Sequence, residues 1–170
     1  IPMVPCTKGE LNEVKRLIGN SKLPEAYIEF LEVMGGGTEH TVLRGESCYI
    51  DELLELNEWG AELLEENNVA LKLTSKDFVF WMSQGCMFCF FKLDEGENPP
   101  VYFYSEGKKK DGFYKITDTY TDFLQRRYMK DKYIFQKKSF CKFHLPILNI
   151  LLIKKGESKK PSPSFKTCII

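Results

Sequence analysis

The chain has 170 residues, of which 43% are hydrophobic and 14% are aromatic, so it can bury roughly two thirds of its unfolded surface in a single core. Its zero net charge conceals an uneven distribution: residues 1–125 contain 12 basic and 22 acidic residues, whereas residues 126–170 contain 12 basic and 2 acidic residues. An acidic first part disfavours a nucleic-acid surface, which needs the opposite sign.

The first residues, IPMVPCTKGE, lack the basic flank and the continuous apolar core of a secretory signal. The six cysteines are scattered along a chain that is large enough to fold without disulfides. This pattern favours free thiols in a reducing compartment. We therefore expect a cytoplasmic protein.

Two amphipathic helices are predicted before residue 38. The segment KGELNEVKRLIG places Leu11, Val14, Leu17 and Ile18 at helical spacing. The segment LPEAYIEFLEVMGGG has Pro24 at a helix start, Phe30 within an apolar stripe, and three glycines after the last apolar residue. These glycines follow a helix and lack a Gly-Lys-Ser/Thr sequence, so they predict helix termination instead of a phosphate-binding loop.

An acidic block without lysine or arginine extends from Gly45 to Leu71. The segment TVLRGESCYI, which overlaps the start of this block, predicts a short strand and turn, and DELLELNEWGAELLEENN within the block predicts acidic helical turns with the leucines inward. Two interpretations stay open: a solvated helix face, or a landing site for a basic protein. In the second, the candidate partner-binding residues are Glu55, Glu58, Trp59 and Glu62, with Asp94 and Glu95 in a later turn as a further candidate.

Five runs of aromatic and β-branched residues follow, separated by turn residues: VALKL, DFVFWMS, CMFCFFKL, PPVYFYSE and GFYKIT. They predict a largely antiparallel sheet. The segment TDTYTDFLQRRYM predicts a closing helix with Thr117 or Asp118 as its cap, which gives an α+β fold. The predicted core consists of Tyr27, Phe30, Leu31, Phe78, Phe80, Phe88, Phe90, Val101, Phe103, Phe123 and Leu124.

A CxxC pair, Cys86 and Cys89, falls within the third predicted strand. Residues three apart in a strand point to opposite faces, and an aromatic strand does not lower a thiol pKa as a helix N-terminus does. A zinc set completed by Cys141 and His144 is disfavoured, because these residues lie in the C-terminal tail. No nucleophile motif is present either, so we expect no metal, no cofactor and no enzymatic activity.

The order of these motifs resembles the SUKH superfamily, which includes the Smi and Knr cell-wall regulators and many bacterial immunity proteins. The segment LPEAYIEFLEVMGGG is similar to the leading family signature Leu-Pro-x-x-Tyr-x-x-Phe-Leu followed by Asn-Gly-Gly, and DTYTDFL is similar to the closing Ser-Phe-x-x-Phe-Leu helix. Gly35 replaces the usual asparagine, and Tyr120 replaces the usual phenylalanine. We expect glycine to accept the left-handed conformation here and tyrosine to keep the ring.

The resemblance implies a curved sheet that carries helices, with no shared catalytic site. It implies a protein-binding role, either as an immunity protein that neutralises a cognate toxin, often a nuclease, or as a regulatory scaffold that binds cellular proteins. The acidic charge of the domain suits a toxin with a basic surface. We expect the SUKH domain to span residues 8–130. Residues 131–170 form a predicted basic, poorly packed extension, whose apolar run from Phe143 to Ile153 is about half as long as a membrane span requires.

Overall fold

The computed structural model describes residues 3–38, 43, 46–107 and 112–127, and it has the predicted α+β fold. A five-stranded antiparallel sheet has the order β3-β4-β5-β6-β7, and two shorter strands, β1 and β2, pair separately. The strands are β1 (Met3–Val4), β2 (Gly37–Thr38), β3 (Glu46–Ser47), β4 (Asp77–Ser83), β5 (Met87–Lys92), β6 (Val101–Ser105) and β7 (Tyr114–Thr117). The helices are α1 (Lys8–Leu17), α2 (Glu25–Met34), α3 (Ile50–Leu53), α4 (Leu56–Glu66) and α5, which is described over residues 120–127.

Four of the five predicted aromatic runs are strands, β4 to β7, and the prediction for VALKL is wrong. Residues 69–73 form a loop between α4 and β4. Val69, Leu71 and Leu73 are half-buried against the core. Their alternation therefore reflects side-chain packing along a loop, which requires no backbone pairing with another strand.

One face of the sheet packs against α2 and α5 through a cluster of aromatic rings. The Tyr27 ring lies at its centre, with centroid distances of 5.4 Å to Phe78, 6.0 Å to Phe80 and 5.4 Å to Tyr120. The predicted pairing of Phe78 and Phe80 on a common face is thus confirmed. Edge-to-face and offset ring contacts of this kind add to the free energy gained from burial alone.

A register shift in β4, between Val79 and Trp81, changes the alternation of side chains. Phe80 and Trp81 are consecutive, yet both rings approach Phe123 of α5, with centroid distances of 5.2 Å and 6.3 Å. A β-bulge allows this by inserting one residue that has no partner across the ladder. The bulge therefore places one more large ring under α5 than a regular strand would.

Most of the predicted core is confirmed. Phe103 and Leu124 differ from the prediction, because both are only partly buried at the margin of the core. The other nine residues are buried: Tyr27, Phe30, Leu31, Phe78, Phe80, Phe88, Phe90, Val101 and Phe123.

The three glycines after α2 end the helix as predicted and also admit the N-terminal segment. A Cβ atom added at Gly35 would lie 2.5 Å from Cys6 Sγ, and one at Gly36 would lie 2.9 Å from Val4 Cγ1. The backbone of Gly35 is in the right-handed helical region, with φ of −64°. Gly37, with φ of +115°, has the positive φ angle that favours glycine. The expectation of a left-handed residue at Gly35 is therefore wrong.

Candidate functional site

Helix α4 covers the second face of the sheet at close range. A Cβ atom added at Gly60 would lie 3.2 Å from Leu73 Cδ1 and 3.3 Å from Val79 Cγ2. The buried side of the helix carries Leu56, Leu63 and the glycine itself. Because this side lies directly on the sheet, the opposite side of α4 faces outward with its charged residues.

The outward side of α4 is a row of carboxylates. Among the described residues, no lysine or arginine nitrogen lies within 4 Å of any of them. Glu65 and Glu66 stand in the last turn, where the helix dipole disfavours negative charge. The row therefore lowers the stability of the isolated domain slightly. Its members are Glu55, Glu58, Glu62, Glu65 and Glu66, all exposed.

An open groove of about 240 Å³ runs between α4 and the edge of the sheet. Its sheet side comes from Ser47 of β3, from Met82, which pairs with Ser47 across the ladder, and from Gly85 in the β4–β5 turn. Its helix side combines acidic and apolar groups. The lining residues are Ser47, Trp59, Glu62, Leu63, Glu66, Met82 and Gly85, and we call this site the acidic groove.

The groove contains two of the residues that the sequence suggested. Trp59 is half-buried and, together with Glu62, lines the groove directly. Glu55 and Glu58 lie on the same helix outside it. The contributions of Ser47 and Met82 were missed, because the sequence does not show that the short strand at residue 46 pairs with the end of β4.

The other predicted acidic residues, Asp94 and Glu95, are bonded within the domain. Lys76 forms an ion pair with Asp94, and its hydrogen bond lowers the pKa of that carboxyl group. Glu95 accepts a hydrogen bond of 3.0 Å from the Tyr102 hydroxyl. The pKa of the Tyr102 hydroxyl is raised mainly by partial burial and to a smaller extent by this hydrogen bond.

The same loop continues with two residues that cap helices distant in sequence. Glu97 accepts a hydrogen bond of 3.0 Å from the Glu25 amide at the start of α2, and its carbonyl oxygen accepts one from the Ala26 amide. Lys22 forms an ion pair with Glu97. The hydrogen bonds from Lys22 and from the Glu25 amide lower the pKa of Glu97, and the one from Lys22 has the larger effect.

Asn98 performs the equivalent function at the start of α5. Its side-chain oxygen accepts a hydrogen bond of 3.1 Å from the Thr121 amide, and its amide nitrogen donates one of 2.9 Å to the Thr121 hydroxyl. Thr119 also caps α5, since its hydroxyl accepts a bond from the Asp122 amide. The prediction that Thr117 or Asp118 caps this helix is therefore wrong by one or two residues.

The last described residue, Arg127, lies beside the edge of the sheet. Its guanidinium carbon is 4.0 Å from the centroid of the Trp81 ring, and a guanidinium nitrogen is 3.9 Å from a carboxylate oxygen of Glu46. These contacts place the end of α5 against β3 and β4. The two residues contacted are the direct sequence neighbours of Met82 and Ser47, which line the acidic groove.

The CxxC pair forms no joint site. Cys89 is buried in β5. Cys86 lies in the turn before β5, so the prediction that it belongs to the strand is wrong. Burial raises the pKa of the Cys89 thiol well above its ordinary value. The pKa of the Cys6 thiol is raised to about 11, mainly by burial and to a smaller extent by the negative charge of Glu10. Such thiols are poor nucleophiles.

Within the described residues, no group of three or more His, Cys, Asp or Glu residues is arranged to hold a metal ion. Cys141 and His144 lie outside these residues, as does the predicted extension at 131–170. The helices described contain no segment long and apolar enough to cross a membrane.

The fold defines the chain as an α+β domain in which helices pack on both faces of an open, five-stranded antiparallel sheet. The chain belongs to the SMI1 / KNR4 family (SUKH-1), whose family model matches residues 5–126. A comparison with curated proteins finds no match. Membership of this family supports a protein-binding domain of the regulator or immunity type, and the family is generally non-catalytic.

Proposed function

We propose that the chain is a non-catalytic immunity protein that binds and neutralises a cognate toxin with a basic surface. The observation that carries the proposal is the carboxylate row of α4, which has no cation within 4 Å among the described residues. A nuclease fits this description of the partner, because it must present a basic cleft to phosphate. An acidic protein that covers the cleft blocks access of the substrate.

The two parts of the surface support different steps of binding. Glu55 and Glu58 lie outside the groove, where exposed charges mainly accelerate association with an oppositely charged protein. Trp59 lies within it and offers a large, partly exposed ring, the residue type that most often anchors an interface. Association should therefore depend on salt, whereas the lifetime of the complex should depend on Trp59.

A second candidate function is a regulatory scaffold that binds cellular proteins. Membership of the SMI1 / KNR4 family supports it as well as the first. The neighbouring gene distinguishes the two, because an immunity protein is encoded beside its toxin. A neighbouring toxin gene supports the immunity function, and its absence supports the regulatory one.

The test of the surface is a triple charge reversal, Glu55→Lys, Glu58→Lys and Glu62→Lys. The association rate with the toxin encoded beside the gene is measured by stopped-flow at low and moderate salt. We expect the rate to fall at least tenfold at low salt, since steering by complementary charge changes rates by about 10 to 1,000-fold. The difference between variant and parent should shrink as salt is added.

The matched control reverses three exposed carboxylates on other helices, Glu13→Lys, Glu32→Lys and Asp122→Lys, with the same change in net charge. If the two triple variants slow association equally, only net charge matters and the α4 surface is not the binding site. An unchanged rate in the α4 variant, with an intact circular-dichroism spectrum, would transfer binding to Asp94 and Glu95 or to the exposed part of the sheet.

A further inference from the structure

The acidic groove requires an occupant of mixed character. Glu62 and Glu66 supply negative charge, while Trp59, Leu63 and Met82 supply apolar surface between them. A segment that fits must therefore carry cations and apolar or aromatic side chains at short intervals. A purely charged segment would leave the apolar surface in contact with water.

The chain itself contains such a segment directly after the described domain. Residues 128–170 contain ten lysines and two acidic residues. Within them, residues 130–142, KDKYIFQKKSFCK, place five lysines among Tyr133, Ile134, Phe135 and Phe140. This composition complements the groove in both charge and apolar character.

The position at which the chain leaves the described domain favours this segment. Arg127 contacts Trp81 and Glu46, and the next residues along the same two strands, Met82 and Ser47, line the groove on the opposite face. Strand β3 is at the edge of the sheet, next to β4 alone. A chain leaving Arg127 therefore needs only to pass around this short edge strand.

The distance is within reach of residues 130–142. An extended chain spans up to about 3.3–3.6 Å per residue, so Lys130 can lie roughly 10 Å from Arg127 and Lys142 roughly 50 Å from it. A tethered segment also has an effective concentration on the order of millimolar. The groove is therefore filled more readily by the tail of the same chain than by that of a second copy in dilute solution.

We propose that residues 130–142 dock in the acidic groove of the same chain. The docked segment neutralises Glu62 and Glu66, with its apolar side chains against Trp59 and Met82. This intramolecular contact does not depend on the proposed function. Where that function also holds, a basic partner must displace the segment, which lowers the apparent affinity and rejects weakly charged proteins.

The test uses carbodiimide on the full-length chain, because this reagent joins a carboxylate directly to a lysine amine in contact with it. Cross-linked peptides are then identified by mass spectrometry. We expect links from Glu62 and Glu66 to lysines in residues 130–142. Their yield should fall several-fold as salt rises, since the contact is charged and partly exposed.

Two internal controls accompany the measurement. Glu13 on α1 and Glu32 on α2 are equally exposed carboxylates, and they should form few links to the same lysines. A mixture of isotope-labelled and unlabelled chains distinguishes links within one molecule from links between two. Replacing Lys137 and Lys138 by Gln should abolish their links and leave the melting temperature of the domain nearly unchanged.

Three results would overturn the proposal: no links to Glu62 or Glu66, links spread evenly over Glu13 and Glu32, or links found only between labelled and unlabelled molecules. The last result would assign the groove to a second copy. No partner is present in this experiment, so its failure leaves the toxin-binding proposal intact. Conversely, loss of toxin binding leaves the docking of the tail intact.

Discussion

The domain has two acidic regions that look alike in sequence and differ in structure. On α4, Glu58 and Glu62 face outward without a cation among the described residues. In the loop after β5, Asp94 and Glu97 form ion pairs, and Glu97 also caps a helix. Carboxylates that bond within the domain stabilise its fold, whereas mutual repulsion among those of α4 slightly opposes it.

The largest effect that would test this difference is expected at Asn98. Replacing Asn98 by Ala removes the acceptor for the Thr121 amide at the start of α5 and should lower the free energy of unfolding by about 1–2 kcal/mol, as for other helix caps. Urea denaturation measures the change. The control is Asn12→Ala on the exposed side of α1, which should alter stability by less than about 0.5 kcal/mol. Equal effects of the two substitutions would show that the loop does not hold α5.

The second prediction concerns acid pH. The pKa of Glu97 is lowered from its ordinary value of 4.5, so its contribution to stability is complete above that pH and is lost as pH falls through the lower, folded value. The difference in stability between the parent and Glu97→Gln should thus be constant near neutral pH and shrink below about pH 4.5. In a Lys22→Met background this pH dependence should be much weaker. A difference that persists unchanged to pH 3 would exclude the ion pair as its cause.

The smallest effect is expected on α4, and it has the opposite sign. Replacing Glu65, which lies in the last turn of α4 and outside the acidic groove, by Gln removes an unfavourable interaction with the helix dipole and the repulsion from Glu62, and should raise the free energy of unfolding by a few tenths of a kcal/mol. Chemical denaturation at low salt, where repulsion is least screened, gives the clearest comparison. A loss of stability would instead indicate that the Glu65 carboxylate has a bonding partner in the folded chain.

Patterns along the chain predicted the larger elements of the fold, and they missed the short strands β1 and β2. The stripe containing Phe30, the aromatic runs of β4 to β7 and the glycines after α2 each carry a local signal, because they depend on helical or strand periodicity and on turn chemistry. The segment VALKL has the same alternation without a strand partner. Alternation reports which side chains are buried, and it does not report whether the backbone pairs.

The site was predictable only in part for a related reason. Trp59 and Glu62 stood out within a block that lacks lysine and arginine. Their neighbours in the groove, Ser47 and Met82, come together through the pairing of β3 with β4, which no local pattern encodes. The bonding of Asp94 and the capping by Glu97 likewise depend on residues 18 and 72 positions away. Charge can be read from sequence, whereas its neutralisation depends on tertiary structure.

Because Gly60 has no side chain, its position influences the width of the acidic groove. The glycine sets the height of α4 above the sheet, since a Cβ there would press on Leu73 and Val79. A larger residue would lift the helix, and with it Trp59 and Glu62, away from Met82 and Ser47. One buried position thus adjusts the width of the acidic groove without altering any residue that lines it. A substitution at this position would therefore change the shape of the groove while keeping the same exposed residues.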